Sequence, residues 1–470
     1  MTACRLLVLL LLASHLLARG PVYVVLWFDT EDYIEPAADD AALRIANDLT
    51  ALDVRATFKI VGEKARTLES RRRTDVIQAL SKHAIGFHSN WHSLHPAPAE
   101  YLRIFGYLEG ADEFQRREEP GLIDIKRIFG VPPVCYGQPG SSWGPQSNLA
   151  LRRMGIPVYL DEGEQVGLNE QPFWYGGLLY VFNMGRNQLR ADLNAGDQGM
   201  ASYTRFDEAV SRLSSAGGGL ISIYYHPTEF VTTEFWDAVN FANGAMPARK
   251  DWVRPHRRTS EDSERCFRVL QAFVKHMKQT PGVHFVTAQD LTHIYDGPRP
   301  PAVDSRKIAE HLSRQITFLD VDGAVLSPAD MLIQLLGLEP QVADGPTAPG
   351  ITTWPSETVP AFLFERAKND AADFIRRNHR LPDQVFLGAE TLGLSDFTAT
   401  LAGKLLSPDS GMVRILHGHT IFERYFSTDA KGAFNWPIHP KGFAAPELLD
   451  LGRLQGWTLK PAKLRESDVH

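Results

Sequence analysis

The chain has 470 residues, of which 44% are hydrophobic and 22% are charged, an ordinary composition for a globular protein of two or three domains. Its formal net charge of −7 provides no basic excess to neutralise phosphates, which argues against a general nucleic-acid binder.

The first predicted element is a targeting segment over residues 1–20. Arg5 precedes the apolar run Leu6–Leu17, and the small residues Ala18 and Gly20 follow. This pattern is typical of a secretory signal peptide, and the run is shorter than the ~20 residues of a membrane span. We therefore expect an exported protein, periplasmic, extracellular or associated with the cell envelope, without a membrane span after signal removal. An uncleaved anchor is the alternative.

Apolar strands then alternate with amphipathic helices as far as Tyr295. The run Val22–Phe28 is apolar on successive residues, as expected of a strand buried on both faces. Later predicted strands are Ala56–Val61, Ala84–Phe87, Val158–Leu160, Leu179–Phe182, Leu220–Tyr225 and Val283–Val286. Predicted helices are Ala41–Leu52, Arg73–His83, Asn148–Met154, Phe206–Ser214 and Asp262–Gln279. The alternation predicts a parallel sheet, and the number of units favours a (β/α) barrel.

The proline-rich stretch Gly297–Pro301 is the best domain boundary, which gives a barrel over residues 21–297 and a smaller α/β domain over residues 302–470. In the second part the predicted elements are strand Phe318–Val321, helix Ser327–Leu336, helix Glu357–Asn378, strand Gln384–Leu387 and helix Ser395–Leu406. The order of strand, Leu-Ser turn and helix occurs twice, which indicates a weak internal duplication. Because this part has few clustered His, Asp or Cys residues, we expect an accessory domain that binds cell wall or carbohydrate.

Candidate metal ligands follow two of the predicted strands. The acidic cluster Asp29–Asp32 ends the first strand, and His88 and His92 follow the third. The carboxyl ends of strands in such barrels carry the chemistry. Two imidazoles and one carboxylate can hold a zinc ion and leave a position free for water and substrate. The pattern therefore predicts a hydrolase that depends on one divalent metal, zinc in the first place.

Four motifs in order carry a resemblance to a known family: Phe28-Asp-Thr-Glu-Asp32, Ala56-Thr-Phe-Lys-Ile-Val-Gly62, Gly86-Phe-His-Ser-Asn-Trp-His92 and Tyr225-His-Pro227. With them, the stretch from Val22 to Tyr295 resembles the polysaccharide deacetylase family of carbohydrate-esterase type, also called the NodB-homology family, as a divergent member. The resemblance implies a deformed (β/α) barrel and a single divalent metal, usually zinc. It also implies removal of acetyl groups from N-acetylated sugars or related amides, which is hydrolysis of a non-peptide C–N bond.

The resemblance assigns the metal ligands. His88 and His92 match the two histidine ligands. The carboxylate ligand follows one or two positions after the base, where this chain has Thr30 and then Glu31. Glu31 is the first choice and Asp32 the second.

The resemblance also assigns the proton transfers. Asp29 matches the base that activates water, and His226 matches the acid that protonates the leaving amine. Asp161, after a strand, is the candidate for the carboxylate that orients His226.

One departure from the family concerns the third motif. The family has an arginine that steadies the base, and in the stretch Cys135–Trp143 this chain has Gly137 or Gln138 in its place. Gln138 could donate a hydrogen bond but no charge, so Asp29 is expected to lack a cationic partner. We therefore expect a reaction that is slower, differently tuned or absent.

Aromatic residues suit the apolar faces of sugars and are the candidates for a substrate cleft. We select Trp143, Trp174 and Tyr175, together with Gln138, as substrate-binding residues. Packing in the core is the alternative for the aromatic side chains.

The sequence thus favours an exported metal-dependent hydrolase that removes acetyl groups from an N-acetylated carbohydrate, with a cell-envelope glycan as the candidate partner. One alternative is a catalytically degenerate carbohydrate-binding protein on the same barrel. Another is a hydrolase of a different non-peptide amide. No pattern indicates the oligomeric state.

Overall fold

A computed structural model describes residues 20–194, 200–407 and 411–465. Residues 1–19 of the predicted targeting segment lie outside the described residues. Across the part that is described, no helix has both the length and the apolarity to cross a bilayer.

The described residues form one large curled sheet and three hairpin-sized sheets. The strands are β1 (Val22–Thr30), β2 (Thr57–Ile60), β3 (Ala84–Phe87), β4 (Cys135–Tyr136), β5 (Val158–Leu160), β6 (Phe173–Tyr175), β7 (Leu178–Val181), β8 (Gln188–Leu189), β9 (Gly219–Tyr225), β10 (Val283–Val286), β11 (Leu319–Val321), β12 (Ala324–Leu326), β13 (Thr358–Pro360), β14 (Gln384–Leu387), β15 (Glu390–Gly393), β16 (Met412–Arg414) and β17 (Lys460–Pro461). The large sheet runs β17-β6-β7-β5-β4-β3-β2-β1-β9-β8, and β10 also pairs with β1. All its ladders are parallel except those that join β6 to β7 and to β17. This is the parallel, barrel-like α/β fold that the alternation of elements predicts, left open between β8 and β17.

Helices cover the outside of the large sheet and build most of the second part. They are α1 (Ala37–Ala51), α2 (Gly62–Ser70), α3 (Thr74–Leu80), α4 (Pro98–Leu102), α5 (Tyr107–Phe129), α6 (Gln146–Arg153), α7 (Met200–Ser215), α8 (Trp236–Phe241), α9 (Ser260–Gln279), α10 (Ala288–Ile294), α11 (Ser305–Leu312), α12 (Pro328–Leu335), α13 (Ala361–Asn378), α14 (Leu394–Leu406) and α15 (Pro446–Gln455). Short 3₁₀ turns lie at Gly185–Asn187, Pro227–Phe230, Ala242–Gly244, Arg249–Asp251, Phe422–Tyr425 and Gly456–Thr458.

Strand β1 is the centre of the sheet because it pairs with β2, β9 and β10. Its successive apolar residues are explained by two cores. Leu26 and Phe28 pack towards the helices, whereas Val25 and Trp27 belong to a core inside the curl of the sheet. Asp29 continues the inward-facing series at the carboxyl end of the strand. The polar end of β1 therefore opens at the mouth of the barrel.

The second part of the chain does not remain separate from the first. A second core contains residues from Ile308 to Phe422, together with Trp457. Beyond it, Phe426, Phe434 and Leu448 pack into the main core, and β17 extends the large sheet beside β6. The last described residues thus return to the barrel.

The structure differs from the sequence-based predictions in two respects. The longest helix, α5, contains Pro120 and was not predicted. Trp174 and Tyr175, expected to bind substrate, belong to β6 and are buried, because each face of this strand packs into a core. The predicted duplication has a structural counterpart in the described residues, since the hairpins β11–β12 and β14–β15 are each followed directly by a helix.

Candidate active site

Three side chains converge on one point at the mouth of the barrel. Glu31 follows β1, and His88 and His92 lie in the turn after β3. Glu31 Oε2 is 3.2 Å from His88 Nε2 and 2.9 Å from His92 Nε2. The three donor atoms lie within 4.8 Å of one another, and all three residues are buried.

A tight turn, not a helix, brings the two histidines together. Ser89 and His92 both adopt the left-handed conformation, with φ of 63° and 60°. The Ser89 hydroxyl accepts a hydrogen bond from the His92 backbone N–H at 2.8 Å. Such backbone costs of order 1–3 kcal/mol per residue and persists only where the surrounding structure holds it.

The donor set fits a divalent cation. His88 Nδ1 lies 3.0 Å from the carbonyl oxygen of Gly137, so Nδ1 donates and a neutral ring presents an unprotonated Nε2 to Glu31. Two acceptors then face each other at 3.2 Å, a contact that a cation or a proton must relieve. His92 Nε2 is buried and makes no hydrogen bond, although Glu31 Oε2 is near it. A backbone carbonyl behind a histidine is the usual support of a metal ligand.

Glu31 is held in this orientation by a tryptophan. The indole N–H of Trp236 donates to Glu31 Oε1 at 3.1 Å, which leaves Oε2 for the histidines. Burial raises the pKa of Glu31, but the nearby His92 and His226 outweigh this effect and hold it well below the usual value. Glu31 is therefore charged, as a metal ligand must be.

Asp32, the second choice for the metal carboxylate, does not join this group. Its Oδ1 accepts the backbone N–H groups of Ile34 and Glu35, and its Oδ2 accepts the hydroxyl of Thr228, each at 2.9 Å. Burial raises the pKa of Asp32 to about 6. Asp32 ties the end of β1 to the 3₁₀ turn after β9, and the two neighbouring carboxylates thus have different roles.

Asp29, the expected base, has a cationic partner that the sequence reasoning missed. Lys59 Nζ lies 2.9 Å from Asp29 Oδ1 and 2.6 Å from Asp161 Oδ2. The signal for this partner was a single charged residue in the apolar run Ala56–Val61. Asp29 therefore does not lack a charge partner, contrary to the expectation from the third motif.

Asp161 does not orient His226. It contacts Lys59 and accepts the backbone N–H of Glu162 at 2.7 Å. Burial raises the pKa of Asp161 to about 7 despite the nearby ammonium. The carboxylate that binds His226 Nδ1 is that of Glu229, whose Oε1 lies 2.6 Å from it.

His226 faces the base across the pocket. Its Nε2 is 3.6 Å from Asp29 Oδ2. Burial lowers the pKa of His226, but the carboxylates of Glu31 and Glu229 outweigh it and raise the pKa to about 9. His226 is thus protonated at neutral pH. Glu229 could have been found from its spacing, three residues after His226 in the turn Pro227–Phe230.

The three candidate metal ligands line a cavity of about 450 Å³, together with Asp29, Asp161 and His226. Gln138, one of the expected substrate-binding residues, lines it and accepts the hydroxyl of Tyr159 at 2.9 Å. The other three do not line it. Trp143, Trp174 and Tyr175 are packed in the interior, because the strands around them bury large aromatic side chains.

Other aromatic residues form the wall instead: Tyr224, Phe235 and Trp436. Trp436 comes from the returning end of the chain. Its indole N–H donates to Asp237 Oδ2 at 3.0 Å, and its ring lies edge-on to His92 with 5.1 Å between ring centroids. No local sequence pattern places Trp436 beside a histidine more than 340 residues before it.

No protein-family model matches the chain, and no curated protein matches it. Solved structures with similarity to it have low identity. PuuE allantoinase is 15% identical, with 60% of this chain and 94% of that chain covered and a TM-score of 0.37. Peptidoglycan deacetylase PdaC from Bacillus subtilis is 14% identical over 63% of this chain and 96% of its own, with a TM-score of 0.29. A family 4 acetyl xylan esterase from Clostridium thermocellum, in complex with a cobalt ion, is 16% identical over 58% and 90%, with a TM-score of 0.27. A deacetylase and an acetyl esterase are thus among the proteins to which this chain is similar.

Proposed function

We propose that the chain is a metal-dependent hydrolase that removes the acetyl group from an N-acetylated carbohydrate. The observation that carries this proposal is the convergence of Glu31, His88 and His92, with acceptor facing acceptor, beside a carboxylate and a protonated histidine. Three protein ligands of this kind suit zinc with an open position.

Glu31, His88 and His92 would hold the ion. When bound there, the ion supplies a lowered pKa for water and a polarised carbonyl group. Asp29 is placed to take the proton of the attacking water, because its Oδ2 is free of Lys59 and faces the pocket.

His226 supplies the proton that the departing amine needs. Glu229 holds its Nδ1 so that Nε2 points towards Asp29, and the Glu229 carboxylate favours the charged form of the ring by raising its pKa. The base and the acid therefore flank one pocket, which is the arrangement that amide hydrolysis requires.

The charge of the pocket lining favours binding of a neutral or cationic sugar and disfavours an anionic one. Its size of about 450 Å³ is in the ~300–1,000 Å³ range of small-molecule sites. Among the described residues, the lining groups include no lysine or arginine. The carboxylates that line it are Asp29, Glu31, Asp161, Glu162, Glu164 and Asp237. An N-acetylated hexosamine unit of a cell-envelope glycan fits this lining. Hydrolysis of another non-peptide amide is the alternative chemistry for the same residues.

The test is acetate release by the purified, zinc-loaded protein from neutral N-acetylated oligosaccharides. Asp29→Asn should lower kcat by about 10²–10⁴-fold, because it removes the base, and should keep the zinc. Asp53→Asn is the matched control, since Asp53 is 98% exposed and its left-handed backbone accepts Asn equally well. Glycan binding without acetate release, by a protein that does not take up stoichiometric zinc when zinc is supplied, would instead identify a degenerate binding protein.

We also propose that residues 1–20 direct export, on the charged, apolar and small-residue pattern of this segment. The mature amino terminus, measured by mass spectrometry of protein recovered from the envelope or the medium, tests it. A mature chain that keeps residues 1–20 would contradict cleavage.

A further inference from the structure

Lys59 is a buried charge in the middle of a strand. All four residues of β2 are buried, and the Lys59 side chain has no exposed surface. A lysine in this environment is rare unless its charge is paired, because removal of an ammonium group from water costs several kcal/mol.

The pairing of Lys59 follows from the register of the sheet. Asp29 on β1 is the direct neighbour of Lys59 on β2. Nζ reaches Asp29 Oδ1 at 2.9 Å and Asp161 Oδ2 at 2.6 Å, and it lies 4.1 Å from the centre of the Trp27 ring. The ammonium group therefore joins two buried carboxylates that would otherwise repel each other.

Two glycines make room for the Lys59 side chain. Gly86 is its neighbour on β3, and a Cβ there would lie 2.9 Å from Lys59 Cγ. At Gly137, after β4, a Cβ would lie 2.0 Å from Lys59 Nζ and 2.3 Å from Oδ2 of Asp161, the carboxylate that Lys59 binds. A side chain at position 137 and Lys59 in its observed position therefore exclude each other.

We propose that Lys59 is the positioning residue for the base Asp29, and that it supplies from β2 the cation which the third motif would otherwise supply from position 137. The proposal rests on the proposed function of Asp29. Lys59 holds Oδ1 of Asp29, and this leaves Oδ2 directed towards His226 and the pocket. Glycine at position 137 is then a consequence of Lys59 and not a loss of the active site.

Removal of the charge tests the positioning role. Lys59→Met keeps the length of the side chain, and we expect kcat to fall by about 100-fold or more while KM changes by less than about threefold. The zinc content should not change, because Glu31, His88 and His92 are untouched. A Lys59→Met enzyme with normal kcat would refute the role.

Relocation of the charge is the sharper test, and it is informative even if Lys59→Met folds poorly. The double variant Lys59→Ala/Gly137→Arg moves the cation from β2 to position 137. We expect it to regain at least about tenfold in kcat over Lys59→Ala. Lys59→Ala/Gly137→Met is the matched control, because it fills the space without a charge, and it should regain nothing. Equal recovery in both double variants would show that only volume matters and would refute the proposal.

Thermal unfolding gives a readout that does not depend on activity. Gly137→Arg alone should lower Tm strongly, because its side chain meets Lys59 and the Asp161 oxygen that Lys59 binds. The same change in the Lys59→Ala background should lower Tm less, because Lys59 no longer fills the space and Asp161 no longer has to bind it. If the Tm change of the double variant equals the sum of the changes in the two single variants, positions 59 and 137 are independent and the exchange of the cation between them is refuted. A different result is also informative: the Tm changes of the variants are coupled, but the wild-type protein releases no acetate. This would refute the proposed function but retain the exchange of the cation between the two positions.

Discussion

At the scale of single residues, the structure separates two adjacent carboxylates that the sequence could not separate. Glu31 points to the histidines because Trp236 holds its other oxygen. Asp32 points away because two backbone N–H groups and Thr228 bind it. These contacts turn the two carboxylates in different directions, so Glu31 is the ligand and Asp32 is a structural residue.

This separation predicts a difference in zinc binding. Glu31→Gln should weaken zinc binding by more than about 100-fold, since the loss of a ligand exceeds the ~10–100-fold effect of a supporting residue. Asp32→Asn should retain zinc and lower Tm, because one hydrogen-bonded turn is weakened. Titration with a competing chelator measures the affinity. Equal loss of zinc in both variants would contradict the assignment.

A second residue-scale prediction concerns the pKa of His226. In the metal-free protein, burial lowers this pKa and the carboxylates of Glu31 and Glu229 raise it to about 9. Glu229→Gln removes one carboxylate, so the pKa should move down towards 6.5. NMR titration of the ring measures it, and Glu208→Gln on exposed α7 is the control.

The sign of the linked stability follows from the same shift. Because the folded-state pKa exceeds the unfolded value of 6.5, the charged His226 stabilises the fold fully below pH 6.5. This contribution is lost as the pH rises through about 9. The difference in unfolding free energy between wild type and Glu229→Gln should therefore shrink over this interval, and a difference that grows would contradict the pairing.

At the scale of elements, the returning end of the chain forms a wall of the pocket. Trp436 packs on Gly140, where a Cβ would come within 2.2 Å of the indole. Nearby, Glu100 on α4 lies 2.9 Å from His439 Nδ1 and 2.8 Å from His95 Nδ1. Contacts of this kind attach the segment around Trp436 to the loop that follows His92.

This wall predicts a change in substrate selectivity. Trp436→Ala should enlarge the pocket and raise the ratio of kcat/KM for long over short oligosaccharides, by about tenfold. Trp436→Phe is the matched control. It keeps a ring in the wall and loses only the bond to Asp237, at a cost of about 1 kcal/mol of stability, so its ratio should not change. An unchanged ratio in Trp436→Ala would show that this wall does not limit substrate length.

At the scale of the whole molecule, buried polar contacts join the two cores. Asp344, in the second part of the chain, accepts the hydroxyl of Tyr107 on α5 at 2.8 Å and binds the Arg152 guanidinium on α6 through both carboxylate oxygens. At the edge of the large sheet, Lys460 on β17 donates a hydrogen bond to Asp330 on α12 at 2.9 Å. The second core is therefore attached to the barrel by more than the covalent chain.

The attachment predicts a loss of stability on mutation. Asp344→Ala should lower the unfolding free energy by about 3 kcal/mol, because it leaves the half-buried Arg152 charge and the buried Tyr107 hydroxyl without their shared partner. Asp370→Ala, in an exposed pair on α13, should change it by less than about 0.5 kcal/mol. Denaturant unfolding measures both. A small effect of Asp344→Ala would show that the second core is stabilised independently of the barrel.

The sequence by itself determined the alternation of strands and helices, because burial on two faces leaves continuous apolar runs, as in β1, and burial on one face leaves helical spacing. It also indicated Asp29, Glu31, His88, His92 and His226, because these residues lie at or shortly after strand ends of a parallel sheet and match the motifs of the family that the sequence resembles.

Only the tertiary structure decided which residues complete the site. Lys59 reaches Asp29 through the register of two strands, and Trp436 reaches His92 through a chain return of more than 340 residues. Likewise, Trp143 and Tyr175 proved to be core residues because their exposure depends on strands that are distant in sequence. Local patterns record which face of an element is buried, but they do not record what covers it. That depends on contacts between segments that are far apart in the chain.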